Sequence, residues 1–133
     1  MVKEILLAGA GGFAGSALRY AVSAAVVSLP LQGGLPVGTF AVNAAGSLAI
    51  GVLAAWLPPG GWQVFAMAGF CGGFTTFSAF SLETVRLMRS GQVGMAAAYA
   101  AGSVIVCLLF AGLGLWLGGK LSRCGRGAVV NDM

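Results

Sequence analysis

The chain has 133 residues, 59% of them hydrophobic and only 8% charged, against about 25% charged residues in a soluble globular domain. Water is therefore not the solvent for most of its surface. A net charge of +4 does not point to nucleic acid, because the seven basic residues are scattered rather than gathered on one polar element; His is absent and Cys71, Cys107 and Cys124 show no CxxC spacing, which removes the usual zinc and haem ligands and leaves structural thiols as the plainer reading.

No charged residue occurs between Tyr20 and Leu82, and none between Gly91 and Gly119. A helix crossing the ~30 Å hydrocarbon core needs roughly 20 apolar residues, so the chain has room for four spans and no separate soluble domain. The first is expected from about Ile5 to Leu29, closing at Pro30 with LQGGLP as the connection. Its start resembles a signal peptide, but the apolar pattern continues past Arg19, which is span length. The second runs from about Pro36 to Leu57 and is stopped by Pro58, Pro59, Gly60 and Gly61. The third runs from about Trp62 to Met88 and the fourth from about Val93 to Gly119, followed by a polar, basic tail over 120–133.

Trp62 and Trp116 fall near span ends, where amphipathic rings prefer the headgroup layer. An even number of spans puts Lys3, Lys120, Arg123 and Arg126 on one side, against Arg86 and Arg89, joined by Arg19 if it faces the same interface. That asymmetry is too weak to command one orientation. Insertion both ways, with head-to-tail pairing, is physically open.

Polar side chains inside spans need a partner or water. Thr39, Asn43 and Ser47 stack along one face of the second span, and Tyr99, Ser103 and Cys107 along one face of the fourth. Two such stripes suggest a path, although small polar residues also glue helices together. Asn43 asks for more, since its amide carries two donors and an acceptor. GxxxG spacings at Gly11–Gly15, Gly34–Gly38, Gly69–Gly73 and Gly114–Gly118 mark close packing at most, the first being the best candidate.

The segment GFCGGFTTFSAF, Gly69 to Phe80, is the most informative. Each mid-helix glycine weakens a helix by about 1 kcal/mol relative to Ala, so Gly72 and Gly73 are expected to let the third span open. Non-helical backbone at membrane depth is tolerated only inside protein or beside a water-filled cavity. Carbonyls freed there suit a small cation such as Na⁺. Phe77 and Phe80 share a face at i, i+3, and their rings have positive edges that can meet an anion, or simply pack beside a kink. Arg19 has three readings: an anion vestibule, snorkelling, or pairing with Glu83. Glu83 with Arg86 reads as a helix-end ion pair.

Three separated pieces, GGFAGSALRY at Gly11 to Tyr20, GTFAVNAAGSLAIG at Gly38 to Gly51 and GFCGGFTTFSAFSLE at Gly69 to Glu83, resemble the CrcB/Fluc family of fluoride channels. The resemblance covers the first three spans in order, and the fourth agrees in length and in its Tyr and Ser. It implies an all-α membrane protein of four transmembrane helices, the third broken at mid-membrane, forming an antiparallel, dual-topology homodimer in the bacterial inner membrane. By that resemblance a structural Na⁺ is held by carbonyls of Gly72 and Thr75. Fluoride would then pass Asn43, Phe77 and Phe80 along a hydroxyl track of Ser78, Tyr99 and Ser103, with Arg19 as the vestibule candidate. Phe74, Ala79 and Cys107 depart from the pattern, and Ala79 removes a possible donor.

The rivals are a small dual-topology multidrug cation exporter and a non-transporting assembly subunit. The first needs a membrane-embedded carboxylate, and Glu4 and Glu83 both read as lying near span ends. An enzyme would lack His and paired acids for acid–base work.

Overall fold

The computed structural model describes residues 1–27 and 34–131, with side chains over 1–26 and 34–123. The expected end of the first span at Leu29, the turn at Pro30, and the Cys124 and Arg126 side chains lie outside the described residues. The elements are α1 (Val2–Val27), α2 (Val37–Trp56), α3 (Gly61–Gln63), a π-helical stretch (Val64–Cys71), α4 (Gly72–Phe74), α5 (Phe77–Arg89) and α6 (Val93–Asn131). No strand occurs among the described residues.

Four spans are long and apolar enough to cross a membrane: Val2–Val26, Val37–Trp56, Gly61–Arg89 and Val93–Arg123. Only 11–28% of the most apolar window of each is buried within the chain. A single chain thus leaves most of its apolar surface for lipid or another protein. The sequence 120–131, read as a tail, continues α6 as helix. Lys120 covers the Trp116 ring at 3.8 Å, one turn below.

Two pairings organise the spans. α1 lies along the π-helical stretch and α4, while α2 lies along α6. Both rest on backbone-to-backbone approach. A Cβ on Gly15 would collide with the Phe70 carbonyl, and one on Gly73 would come within 2.9 Å of Gly12 Cα. The GxxxG pairs at Gly11–Gly15, Gly69–Gly73 and Gly114–Gly118 all sit at such crossings, whereas Gly34 faces open space.

This changes the reason for the glycines in the third span. Gly72 is helical, with φ −63° and ψ −37°, and Gly73 is needed for contact with α1 rather than for opening the chain. The extended residues come later, at Thr75 (φ −82°, ψ 158°) and Thr76 (φ −151°, ψ 114°). Thr76 is the N-cap of α5, its Oγ1 accepting from Ala79 N at 3.3 Å. Threonine favours that position because its hydroxyl satisfies an amide the first turn leaves orphaned.

Candidate ion-binding cavity

The polar stripes of α2 and α6 meet the extended residues around one cavity of about 440 Å³. Asn43, Phe77, Phe80, Ser103, Gly72 and Thr75 all line it. Thr76, Ser47, Cys71 and Cys107 complete its polarizable and polar wall, and Ile50, Val104 and Leu108 supply apolar wall. Ser78, Tyr99 and Arg19 stand outside that wall.

Asn43 is held by the backbone it faces. Its Oδ1 accepts from Thr76 N at 2.7 Å and its Nδ2 donates to Thr76 O at 3.0 Å, so the amide pairs with an extended residue as a neighbouring strand would. One N–H of the two that an amide carries, and one of the two lone pairs on Oδ1, remain free of Thr76, on a residue that lines the cavity.

Phe77 and Phe80 have ring centroids 5.4 Å apart at 43°. Phe80 packs in turn on Tyr99, also at 5.4 Å. Phe77 is 77% exposed, so the cavity opens to the outside of the single chain at that ring. Ser103 is 5% exposed, and its Oγ is buried without a hydrogen-bond partner; it lies beside the Tyr99 hydroxyl without bonding geometry. Burying an unpaired hydroxyl costs about 1–3 kcal/mol, a cost that an anion accepting from it would relieve. Ser78 is exposed and places its Oγ 3.2 Å from Thr76 Oγ1.

Beyond Phe80 lies a second polar cluster that the sequence reading misplaced. Glu83 is not paired with Arg86. Thr39 Oγ1 donates to its Oε1 at 2.6 Å and Tyr99 OH donates to its Oε2 at 2.8 Å. The clue available in the sequence was spacing: Glu83 is two turns of α5 beyond Thr76 and shares the face of Phe80, which faces inward. Glu83, Arg86 and Ser90 also line a second cavity of about 410 Å³.

Of the three expectations for Arg19, the pairing with Glu83 does not form, since that carboxyl is held by Thr39 and Tyr99. Its Nε donates to Gly73 O at 3.1 Å, beside Ser16 Oγ, which donates to the same carbonyl at 3.3 Å. The guanidinium is tied to the third span, and Glu83 is elsewhere.

The carbonyls of Gly72 and Thr75 differ from those of a continuous helix. In an unbroken helix Gly72 O would accept from Thr76 N and Thr75 O from Ala79 N. Thr76 N is donated to Asn43 and Ala79 N to Thr76 Oγ1. Both carbonyls are released from their helical donors, and their oxygens fit a hard cation.

A helical chain with four spans long and apolar enough to cross a membrane is a multi-pass membrane protein. The family model described as CrcB-like protein, Camphor Resistance (CrcB), matches residues 6–115. The chain is 42% identical over 125 residues to the fluoride-specific ion channel FluC of Methylobacillus flagellatus, covering 90% of this chain and 94% of that one. It is 43% identical over 117 residues to the fluoride-specific ion channel FluC 2 of Nitrobacter hamburgensis, covering 83% and 94%. The FluC of Paracoccus denitrificans is 43% identical over 121 residues, covering 89% and 96%. The chain belongs to the CrcB family.

Proposed function

We propose that the chain is a subunit of a fluoride-specific channel in the bacterial cell membrane, carrying fluoride passively out of the cell. The observation that carries this reading is the Asn43 amide, which lines the cavity, is fixed to Thr76 through both its oxygen and its nitrogen, and keeps a second N–H to give. The relatives' shared activity supplies the identity of the ion.

Fluoride is small and holds its water tightly, so a path for it must replace that shell with close-set donors. Asn43 N–H, the unpaired Ser103 hydroxyl and the ring edges of Phe77 and Phe80 form such a set. Thr76 and Ser78 hydroxyls extend it on one side. On the other, Tyr99 links Phe80 to Glu83. Export needs no energy source beyond the fluoride gradient, since HF entering from a more acidic outside dissociates at the higher internal pH.

An antiparallel homodimer supports this path physically. Phe77 and Gly72 are exposed on one chain although they line the cavity, and a second copy against that face would enclose it. In the same arrangement the interruption at Thr75 and Thr76 lies at mid-membrane. The released carbonyls of Gly72 and Thr75 would hold Na⁺, which supplies fixed positive charge and crosslinks the copies without being transported. Arg19, through Gly73 O, braces the backbone next to that site.

A cation exporter loses one argument against it, because Glu83 is within the fold. Its two oxygens are nevertheless occupied by Thr39 and Tyr99, and the relatives are fluoride channels.

The test is purified protein in fluoride-loaded liposomes, with efflux read by a fluoride electrode and chloride followed in parallel. Fluoride efflux with chloride retained is expected; retention of both ions would sink the channel reading. Phe80→Ile should abolish flux with the dimer intact on size exclusion. Replacing Na⁺ by a bulky organic cation during assembly should weaken the dimer, and an unchanged dimer would count against the Gly72 and Thr75 site.

A further inference from the structure

α2 meets the extended pair at two points, and only one of them is a hydrogen-bonded contact. Asn43 holds the backbone of Thr76 through both its oxygen and its nitrogen. Gly46, three residues on and so on the same face of α2, is buried and meets the side chain of Thr75. A Cβ built there would collide with Thr75 Cγ2 and stand 3.3 Å from Phe74 Cδ1. Neither neighbour gives way freely. Thr75 Oγ1 donates to Cys71 O at 2.9 Å, and Thr75 N donates to the same carbonyl at 3.0 Å. Threonine is stiff at χ1, so while the hydroxyl holds Cys71 O the methyl has one direction, into the place that Gly46 leaves empty. Phe74 is buried and stacked on Phe70, with ring centroids 6.1 Å apart.

We propose that Gly46 is a positioning residue for the ion path: its bare Cα and the Asn43 amide form a two-point socket on α2 that fixes Thr75 and Thr76 as extended backbone, with the Thr75 methyl as the plug. The effect on flux rests on the channel reading; the contact itself does not. A methyl added at position 46 leaves Thr75 two escapes. It rotates about χ1 and gives up Cys71 O, or its backbone moves away from α2 and draws Thr76 off Asn43. Either one disturbs the cavity wall, because Asn43, Gly46, Thr75 and Thr76 all line it. The second also moves the Thr75 carbonyl, which is released from its helical donor. Helix propensity works in the opposite direction, since alanine is the better residue in a helix interior. A loss on Gly46→Ala therefore comes from the contact and not from α2.

The experiment is a double-mutant cycle on the full chain, comparing Gly46→Ala, Thr75→Ser and the two together with the parent. Thr75→Ser keeps the hydroxyl for Cys71 O and removes the methyl that a side chain at 46 would strike. Thermal unfolding in detergent reads the contact. Gly46→Ala should lower the midpoint by about 5 °C in the parent and by less than half as much beside Thr75→Ser; equal shifts would overturn the contact. Fluoride efflux from liposomes, on preparations whose circular dichroism matches the parent, reads the positioning. Gly46→Ala should cut efflux roughly 30-fold in the parent and less than about threefold beside Thr75→Ser. Equal losses in both backgrounds would overturn it, because a methyl that only narrowed the cavity would do so whatever stands at 75. If Gly46→Ala alone yields no folded protein, recovery on adding Thr75→Ser supports the socket, and a double variant that also fails to fold overturns it. A parent that passes no fluoride defeats the channel reading, while the unfolding cycle still decides the contact.

Discussion

The two polar clusters on either side of Phe80 solve the same problem in opposite ways. Around Thr76 the polar groups are backbone and amide, and the arrangement leaves the Ser103 hydroxyl without a partner and one Asn43 N–H beyond the one given to Thr76. Around Glu83 the central group is a carboxyl whose two oxygens each take a hydroxyl proton, from Thr39 and Tyr99. Polar groups at membrane depth are normally paired. The first cluster therefore keeps hydrogen-bonding capacity in reserve, and the second uses its own up internally. Phe80 and Tyr99, in ring contact, are the wall between them.

Reversing the polarity of the first cluster should have the largest effect. Asn43→Asp keeps the acceptor for Thr76 N but puts an acceptor opposite Thr76 O, where Nδ2 now donates. It also adds negative charge to the cavity wall. Two unit charges 4 Å apart interact by about 4 kcal/mol at an effective dielectric of 20, enough to suppress anion entry by roughly 1000-fold. Fluoride efflux from liposomes should fall to background. Efflux within tenfold of the parent would mean that Asn43 only caps the extended residues.

Glu83→Gln should come next. The amide keeps the shape but offers one acceptor oxygen where Thr39 and Tyr99 now use two. One buried hydroxyl then loses its acceptor, which costs about 1–3 kcal/mol. Thermal unfolding in detergent should move down by several degrees, and Thr39→Val in the same background should recover part of the loss. If that second substitution makes matters worse, Glu83 is not the hub of the cluster.

The contrast also marks what could be read from the residues. Span number follows from the charge-free stretches, and the facing stripes follow from the spacing of Thr39, Asn43, Ser47 and of Tyr99, Ser103, Cys107. These are one-dimensional signals with a fixed helical period. The place of the extended residues was less legible, because glycines serve two purposes. Gly72 and Gly73 look like breakers, yet the close approach of α1 is what Gly73 permits. The N-cap pattern at Thr76 was the better local signal. Glu83 was hidden for a different reason: its neighbours are 44 residues back at Thr39 and 16 residues on at Tyr99, and an i+3 arginine looked like a nearer partner. Tertiary contacts outbid the local pair.

Ser103→Ala gives the smallest effect on the fold and the cleanest separation of the two clusters. In the resting chain the Ser103 hydroxyl has no partner, so deleting it removes a buried polar group and leaves no donor or acceptor stranded. Stability should hold or rise by up to about 1 kcal/mol. Flux should nevertheless fall, because one donor is lost from a path that must replace the water around fluoride. A donor worth about 1 kcal/mol corresponds to a fall of roughly fivefold. Thermal unfolding and fluoride efflux, measured on the same preparation, thus have opposite expected signs. A matched loss of both would place Ser103 with the groups that hold the fold together, alongside Thr39, and would remove it from the groups that receive the ion.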